Sequence, residues 1–344
     1  MKFRFSLLLL LGILFYSCDQ TKEKSASKKT ASPNFVLAFG SCNNQNIVNE
    51  LWSEILKNNP DVFIWGGDIV YSDTYDMALM KKNYEQQKNK PSYQNFTKQV
   101  PVLGIWDDHD YGLNDGGMEY DKKDSVQQIF LDFFDLDPTD QRRSRKGIYH
   151  AKEFSIDQHS IKIILLDTRY FRTALTIDTS GTKRYVPNRH DKGTMLGTEQ
   201  WHWLENELKT SKSDFNIIVS SVQFLSDEHG FESWGNMPNE VRKLKNIIGQ
   251  SKAKGVIILS GDRHIAEISK DTLTNMHDPL IDFTSSGMTH SYSSFEGEKN
   301  KYRITNVVSD KNFGILNFDF NSRMVQMQIR GINNKILASH VQKY

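Results

Sequence analysis

The chain is short of cysteine, of net charge and of long apolar runs, and each shortage excludes something. Only Cys18 and Cys42 are cysteines among 344 residues, too few for a disulfide-stapled fold. Lys and Arg total 43 against 42 Asp and Glu, a formal net charge of +1. That balance excludes a strongly basic nucleic-acid binder, and no acidic tail is visible. The one strongly apolar run, Phe5–Tyr16, is too short to span a bilayer. No internal repeat stands out. What remains is 38% hydrophobic and 25% charged, the make-up of a soluble globular protein long enough to bury a full core.

Lys2 and Arg4 precede that apolar run, which ends at Ser17-Cys18. A charged start, a short apolar stretch and a small residue before cysteine resemble a bacterial lipoprotein signal. Residues 1–17 are thus expected to be removed and Cys18 acylated; an ordinary signal peptide cut nearby is the alternative. The next stretch, 18–33, is rich in Lys and Ser and reads as a flexible tether. A domain spanning 34–344 is expected to face the periplasm or the cell surface from a lipid anchor, as a monomer. With Cys18 acylated, Cys42 has no partner in the chain, and either burial or a metal accounts for it.

From Asn34 onward, strand and helix signals alternate. FVLAFG (35–40), DVFIWGGD (61–68) and PVLGIWDD (101–108) read as buried strands. Ile47, Val48, Leu51, Trp52, Ile55 and Leu56 recur at helical spacing before Asn59-Pro60. A polar segment rich in Lys, Gln and Tyr between the second and third strands reads as a surface helix. Further strands are expected at IYHAKEFS, IKIILLDT, FNIIVSSVQF (215–224) and GVIILSGD (255–262). Helices are expected at 125–134, at TEQWHWLENELKTS and around Val241–Ile248. This alternation argues a parallel sheet through the first 260 residues, with a second sheet from the strand-rich end.

Four strand ends carry unusual polar residues: Ser41-Cys42, Gly67-Asp68 with Tyr71, Asp107-Asp108-His109-Asp110, and Gly261-Asp262-Arg263-His264. Ligands of α/β sheets bind at carboxyl strand ends, so the four clusters can converge in one crevice. Anionic oxygens and a thiolate crowd together only when cations compensate them. Gln223 and His290 follow strands near the same rim, either lining the site or packing beneath it. Arg169 is a phosphate-binding candidate, or a structural partner of Asp167. RRSRKG (142–147) is a solvated surface, or attracts anions.

The ordered motifs G-D, D-H-D and G-D-R-H resemble the calcineurin-like metallophosphoesterases. FGSC, WDDHD and the G-D-x-x-Y spacing make the chain similar to the phosphatase D (PhoD) family of alkaline phosphatases and phosphodiesterases. The stretches LLDTRYFR (165–172) and ESWGNMPNEVRKL (232–244) are family-like too. The resemblance implies an α/β fold, a four-layer αββα sandwich of two facing mixed sheets flanked by helices. It further implies iron (Fe3+) on Cys42, Asp68, Tyr71 and His264, and calcium (Ca2+) on Asp68, Asp108 and Asp262, with a two-metal Zn/Mn site as the alternative. Thiolate, phenolate and imidazole suit iron, and clustered carboxylates suit calcium. Asp107 and Asp110 would hold His109 and its loop in place.

The implied activity is hydrolysis of phosphate esters by in-line attack of a metal-bound hydroxide, with His109 at the leaving oxygen. A phosphodiesterase or phospholipase on the same scaffold is the nearest alternative. A non-catalytic, metal-binding surface lipoprotein is the alternative from another class.

Overall fold

The computed structural model describes residues 34–189, 192–272 and 278–344. Cys18, the expected signal and the expected tether lie outside the described residues. Elements are numbered in chain order. The first sheet contains β1 (Asn34–Gly40), β2 (Val62–Gly66) and β3 (Val102–Ile105), with β12 (Phe313–Asp319), β13 (Met324–Arg330) and β14 (Ile336–Lys343). Its order is β14-β13-β12-β1-β2-β3. The second contains β4 (His150–Ile156), β5 (His159–Leu165), β8 (Phe215–Val219), β9 (Val256–Ser260), β10 (Ala266–Asp271) and β11 (Leu280–Ser285), in the order β10-β11-β9-β8-β5-β4. Strands β1, β2 and β3 run parallel, as do β5, β8, β9 and β11, and antiparallel strands complete each sheet. A small hairpin pairs β6 (Thr176–Ile177) with β7 (Tyr185–Val186).

Alternation along the strands sets the layers. Ile161, Ile163 and Leu165 of β5 and Phe215, Ile217 and Val219 of β8 join the core shared with the first sheet. Phe39 meets Phe283 and Phe35 meets Phe154 across that layer, with ring centres 4.9 and 5.3 Å apart. Ile164, Ile218 and Ile258 join the opposite cluster, with Leu204 and Leu208 of α6 (Gly197–Thr210) and Leu244 and Ile248 of α7 (Pro238–Gln250). On the outer face of the first sheet, Phe63 and Trp65 pack on Trp52 of α1 (Trp52–Leu56) and on α3 (Pro91–Thr97) through Tyr93 and Phe96. Burying each such side chain contributes roughly 1.5–3 kcal/mol. The layers are helix, sheet, sheet, helix, as the αββα expectation has it.

Three expectations fail locally. The helix over Ile47–Leu56 shrinks to α1, and Ile47 and Val48 are exposed. Asn49 explains the late start, because its side-chain oxygen accepts from the Leu51 N–H and its amide donates to Asn43. The surface helix before β3 is two helices, α2 (Met77–Lys88) and α3, separated where Pro91 begins the second. The second sheet also starts earlier than expected, at β4, while β12–β14 return to the first sheet.

Candidate metal centre

Strands β1, β2 and β3 of the first sheet and β9 of the second deliver their carboxyl ends to one place. Gly261, just past β9, lies so close to the first sheet that a Cβ there would sit 2.4 Å from Ser41 Oγ and 2.9 Å from the Gly66 carbonyl. Gly67 at φ +105° likewise leaves room for Asp107, whose Cβ would otherwise be 2.5 Å away. Four of the expected ligands hold left-handed backbone: Cys42 (φ 60°), Asp68 (49°), Asp262 (68°) and His264 (54°). Non-glycine residues adopt that region at a cost, and such strain concentrates at functional sites.

The donors meet. Cys42 Sγ lies 3.5 Å from Asp68 Oδ2, and the Tyr71 hydroxyl lies 3.2 Å from the same oxygen and 3.0 Å from His264 Nε2. Gln45 fixes Tyr71 by accepting from its N–H and donating to its carbonyl. Three sets each place one ligand atom per residue within 4.8 Å of one another: Cys42, Asp68 and His264; Asp68, Asp108 and His109; Asp107, Asp108 and Asp262. Asp68 and Asp108 each belong to two sets.

Burial and mutual repulsion dominate the electrostatics. Burial, then Asp68, pushes the Cys42 thiol well up; burial, then Asp108, raises Asp68 to about 8. Burial, then Asp107, lifts Asp262, and burial, then Asp68, lifts Tyr71. Burial acts to lower His109, but the hydrogen bond to Asp73 and the charges of Asp68 and Asp108 prevail and raise it to about 11. Buried oxygens Asp68 Oδ1, Asp107 Oδ2 and Asp108 Oδ1 have no hydrogen-bond partner among the described residues. Buried carboxylate oxygens without partners are costly. Hard cations fit them, and a softer metal fits the adjoining thiol, phenol and imidazole. The residue set therefore fits a site for several metal ions.

Other expected residues fall into place around this cluster. Asp110 accepts from the Asp107 and Ile69 N–H groups, at 2.6 and 2.9 Å, tying the turns after β3 and β2 together. Asp107 both faces Asp108 and Asp262 and receives Arg169. The expectation that Arg169 binds substrate phosphate needs correction. Arg169 is fully buried, its guanidinium held by Asp107 and by Glu232 Oε2, the latter at 2.7 Å. Its contact with Asp167 runs through its own backbone N–H. Gln223 is a packing residue, its amide donating to Glu267 and Thr284. His290 lines the cluster, its ring 4.5 Å from His264 and 5.1 Å from Tyr71.

Sequence reading passed over Asp73, whose Oδ2 lies 2.6 Å from His109 Nδ1, and Glu232, which pairs with both Arg169 and Arg172. Glu232 lies in the family-like stretch at 232–244, a signal that carried no role. A cleft of about 440 Å³ opens over the cluster, lined by Asp108, His109, Asp262 and His264 among others.

Two facing mixed sheets with thiol, carboxylate, phenol and imidazole donors at their carboxyl strand ends define a metallophosphoesterase-type architecture. Residues 37–335 match the PhoD-like phosphatase family. The chain belongs to that family. Alkaline phosphatase D of Bacillus subtilis (strain 168) is 27% identical over 127 residues, 35% of this chain and 20% of that protein. The alignment thus spans only 20% of the curated relative's length. The solved structure of PhoD superposes with a TM-score of 0.72 at 17% identity, over 90% of this chain and 70% of that one. GAP50, described as the anchor in the inner membrane complex of Plasmodium, superposes with a TM-score of 0.54 at 13% identity, over 90% and 89% of the two chains.

Proposed function

We propose that this protein is a metal-dependent phosphoric ester hydrolase of the alkaline phosphatase D type. The observation that carries the reading is the trio of buried, unpartnered carboxylate oxygens on Asp68, Asp107 and Asp108 beside Cys42, Tyr71 and His264. In this reading Cys42, Asp68, Tyr71 and His264 hold an iron ion, and Asp68, Asp108 and Asp262 hold calcium. Bound there, the cations supply the charge that activates a water and steadies the phosphoryl oxygens.

His109 acts on the leaving oxygen. Asp73 holds its Nδ1, and the ring stacks on Tyr71 with centres 4.2 Å apart, which leaves Nε2 for the substrate. The hydrogen bond to Asp73 favours a proton on the imidazole, as a general acid requires. Arg169 neutralises Asp107 from below and touches no substrate. Among the described residues, no helix is long and apolar enough to cross a membrane. Export and acylation at Cys18 belong to this reading on the strength of the leader alone.

Purified protein should hydrolyse an aryl phosphate monoester or diester, and a chelator should stop it. His109→Ala should keep its metal content by elemental analysis and lose about 10²–10⁴-fold in turnover. Wild-type protein that binds metal yet hydrolyses neither ester would overturn the reading. It would then favour a non-catalytic, metal-binding role on this fold.

A further inference from the structure

The metal-ligand candidates form the floor of the cleft, but two arginines in its lining are attached elsewhere. Arg263 stands between Asp262 and His264 in sequence, yet its guanidinium contacts belong to the walls. Its Nη2 donates to Glu298 Oε1 at 2.7 Å, and its guanidinium carbon lies 4.0 Å from the centre of the Phe231 ring. The residue is only 9% exposed, and its Nε–H has no acceptor among the described residues. A guanidinium N–H without an acceptor among the described residues, in the lining of a cleft, is a donor that an anion can use.

Arg184 comes from a different element, the β6–β7 hairpin. It pairs with Asp115, and half of its side chain is exposed in the cleft. The hairpin is fixed where it meets the Phe231 loop, because the Arg184 and Tyr185 N–H groups both donate to the Gly230 carbonyl. Asp115 is fixed as well, its N–H donating to Asp108 Oδ2 at 2.7 Å and its Oδ2 accepting from the Tyr185 hydroxyl. The two arginines are therefore set relative to the floor by named hydrogen bonds. Phe231 and Tyr292 add exposed aromatic surface to the same lining.

We propose that Arg184, Arg263 and Phe231 form a second anion subsite, which binds a phosphate or carboxylate on the alcohol part of the ester. This rests on the phosphoesterase reading above, in which the floor holds the scissile phosphate. The substrate class it defines is a phosphate ester whose alcohol carries its own negative charge. Arg184 and Arg263 are then specificity residues, strengthening binding of that second charge without acting on the reacting phosphorus.

The test compares propyl phosphate with propane-1,3-diyl bisphosphate as ligands of the metal-loaded protein, by calorimetry. One charge-assisted contact gives about a tenfold gain in affinity, so wild type should prefer the bisphosphate by tenfold or more. Arg184→Gln/Arg263→Gln should abolish that preference, keep its affinity for propyl phosphate and keep its metal content. Because Arg263→Gln leaves Glu298 unpaired, Arg263→Gln/Glu298→Gln serves as the second variant and should lose the preference equally. Equal wild-type affinity for the two ligands, or a preference that survives both variants, overturns the subsite. Hydrolysis is measured separately. A preference without turnover of any ester keeps the subsite and removes the phosphoesterase reading; turnover without preference does the reverse.

Discussion

Two runs of like charge stand out in this sequence, the acidic turn at 107–110 and the basic loop at 142–147, and the fold treats them oppositely. In the basic loop, Arg142 pairs with Asp140 at 2.8 Å, Arg143 with Asp132 at 2.9 Å, and Arg145 lies 3.7 Å from the Tyr149 ring centre. Arg143 also donates to the Leu136 and Asp137 carbonyls. The alternative that this loop attracts anions therefore gives way to a structural role at Arg142, Arg143 and Arg145, while Lys146 stays exposed. In the acidic turn, Asp107 has one arginine for its Oδ1, while its Oδ2 and Asp108 Oδ1 are buried without a hydrogen bond. Equal charge density in sequence says little about function. What marks the acidic turn is its buried carboxylate oxygens without hydrogen bonds among the described residues, which suit a cation.

The largest test of that contrast is Asp68→Asn, since Asp68 belongs to two of the three donor sets. Metal content should fall, and turnover should drop by about 10³-fold, the several kcal/mol that metal charge contributes to phosphoryl transfer. In chelator, the same substitution should raise thermal stability, because it removes one of several crowded buried carboxylates. A variant that melts lower than wild type with and without metal would mean that the protein alone satisfies Asp68.

Arg169→Met comes next. It strands Asp107 in the interior and leaves Glu232 with Arg172 alone, and breaking such a buried pair costs about 3–5 kcal/mol, read as a shift in the denaturant midpoint. A substrate-binding arginine would behave differently, raising KM several-fold with stability almost unchanged. That second outcome would restore the role read from sequence and break the contrast.

The sheets and the donor cluster were legible because their signals are local. Apolar runs such as FVLAFG and GVIILSGD end in polar residues, and parallel strands bring those ends to one rim. The role of Arg169 was not legible, because its partners lie 62 and 63 residues away and a conspicuous arginine near a phosphate site suggests the phosphate. Asp73 was missed for a similar reason, lying 36 residues before His109 in a stretch of turn residues. The helix over Ile47–Leu56 failed because spacing counts apolar residues but not the Asn49 side chain that holds the backbone out of the first turn. Sorting the elements into two sheets was beyond periodicity, which reports a strand's faces and not its neighbours.

The smallest expected effect tests the basic loop from its far end. His150 lies three residues past it, and burial, then the charges of Arg142 and Arg145, lower its pKa to about 3. An unfolded histidine titrates near ~6.5. Between these values the unfolded chain binds a proton that the folded chain does not, so stability falls as pH drops below about 6.5 and continues to fall toward about 3. At about pH 5.5 the loss from this one residue is roughly 1 kcal/mol. His150→Gln removes the titrating group while keeping an amide that can donate to the Ile148 carbonyl, the present partner of Nδ1. Denaturant midpoints of the two proteins should therefore converge, or the variant should overtake, between pH 7.5 and 5.5. Curves that stay parallel would mean that the folded loop accepts the extra proton, and that its arginines are less completely engaged than their ion pairs indicate.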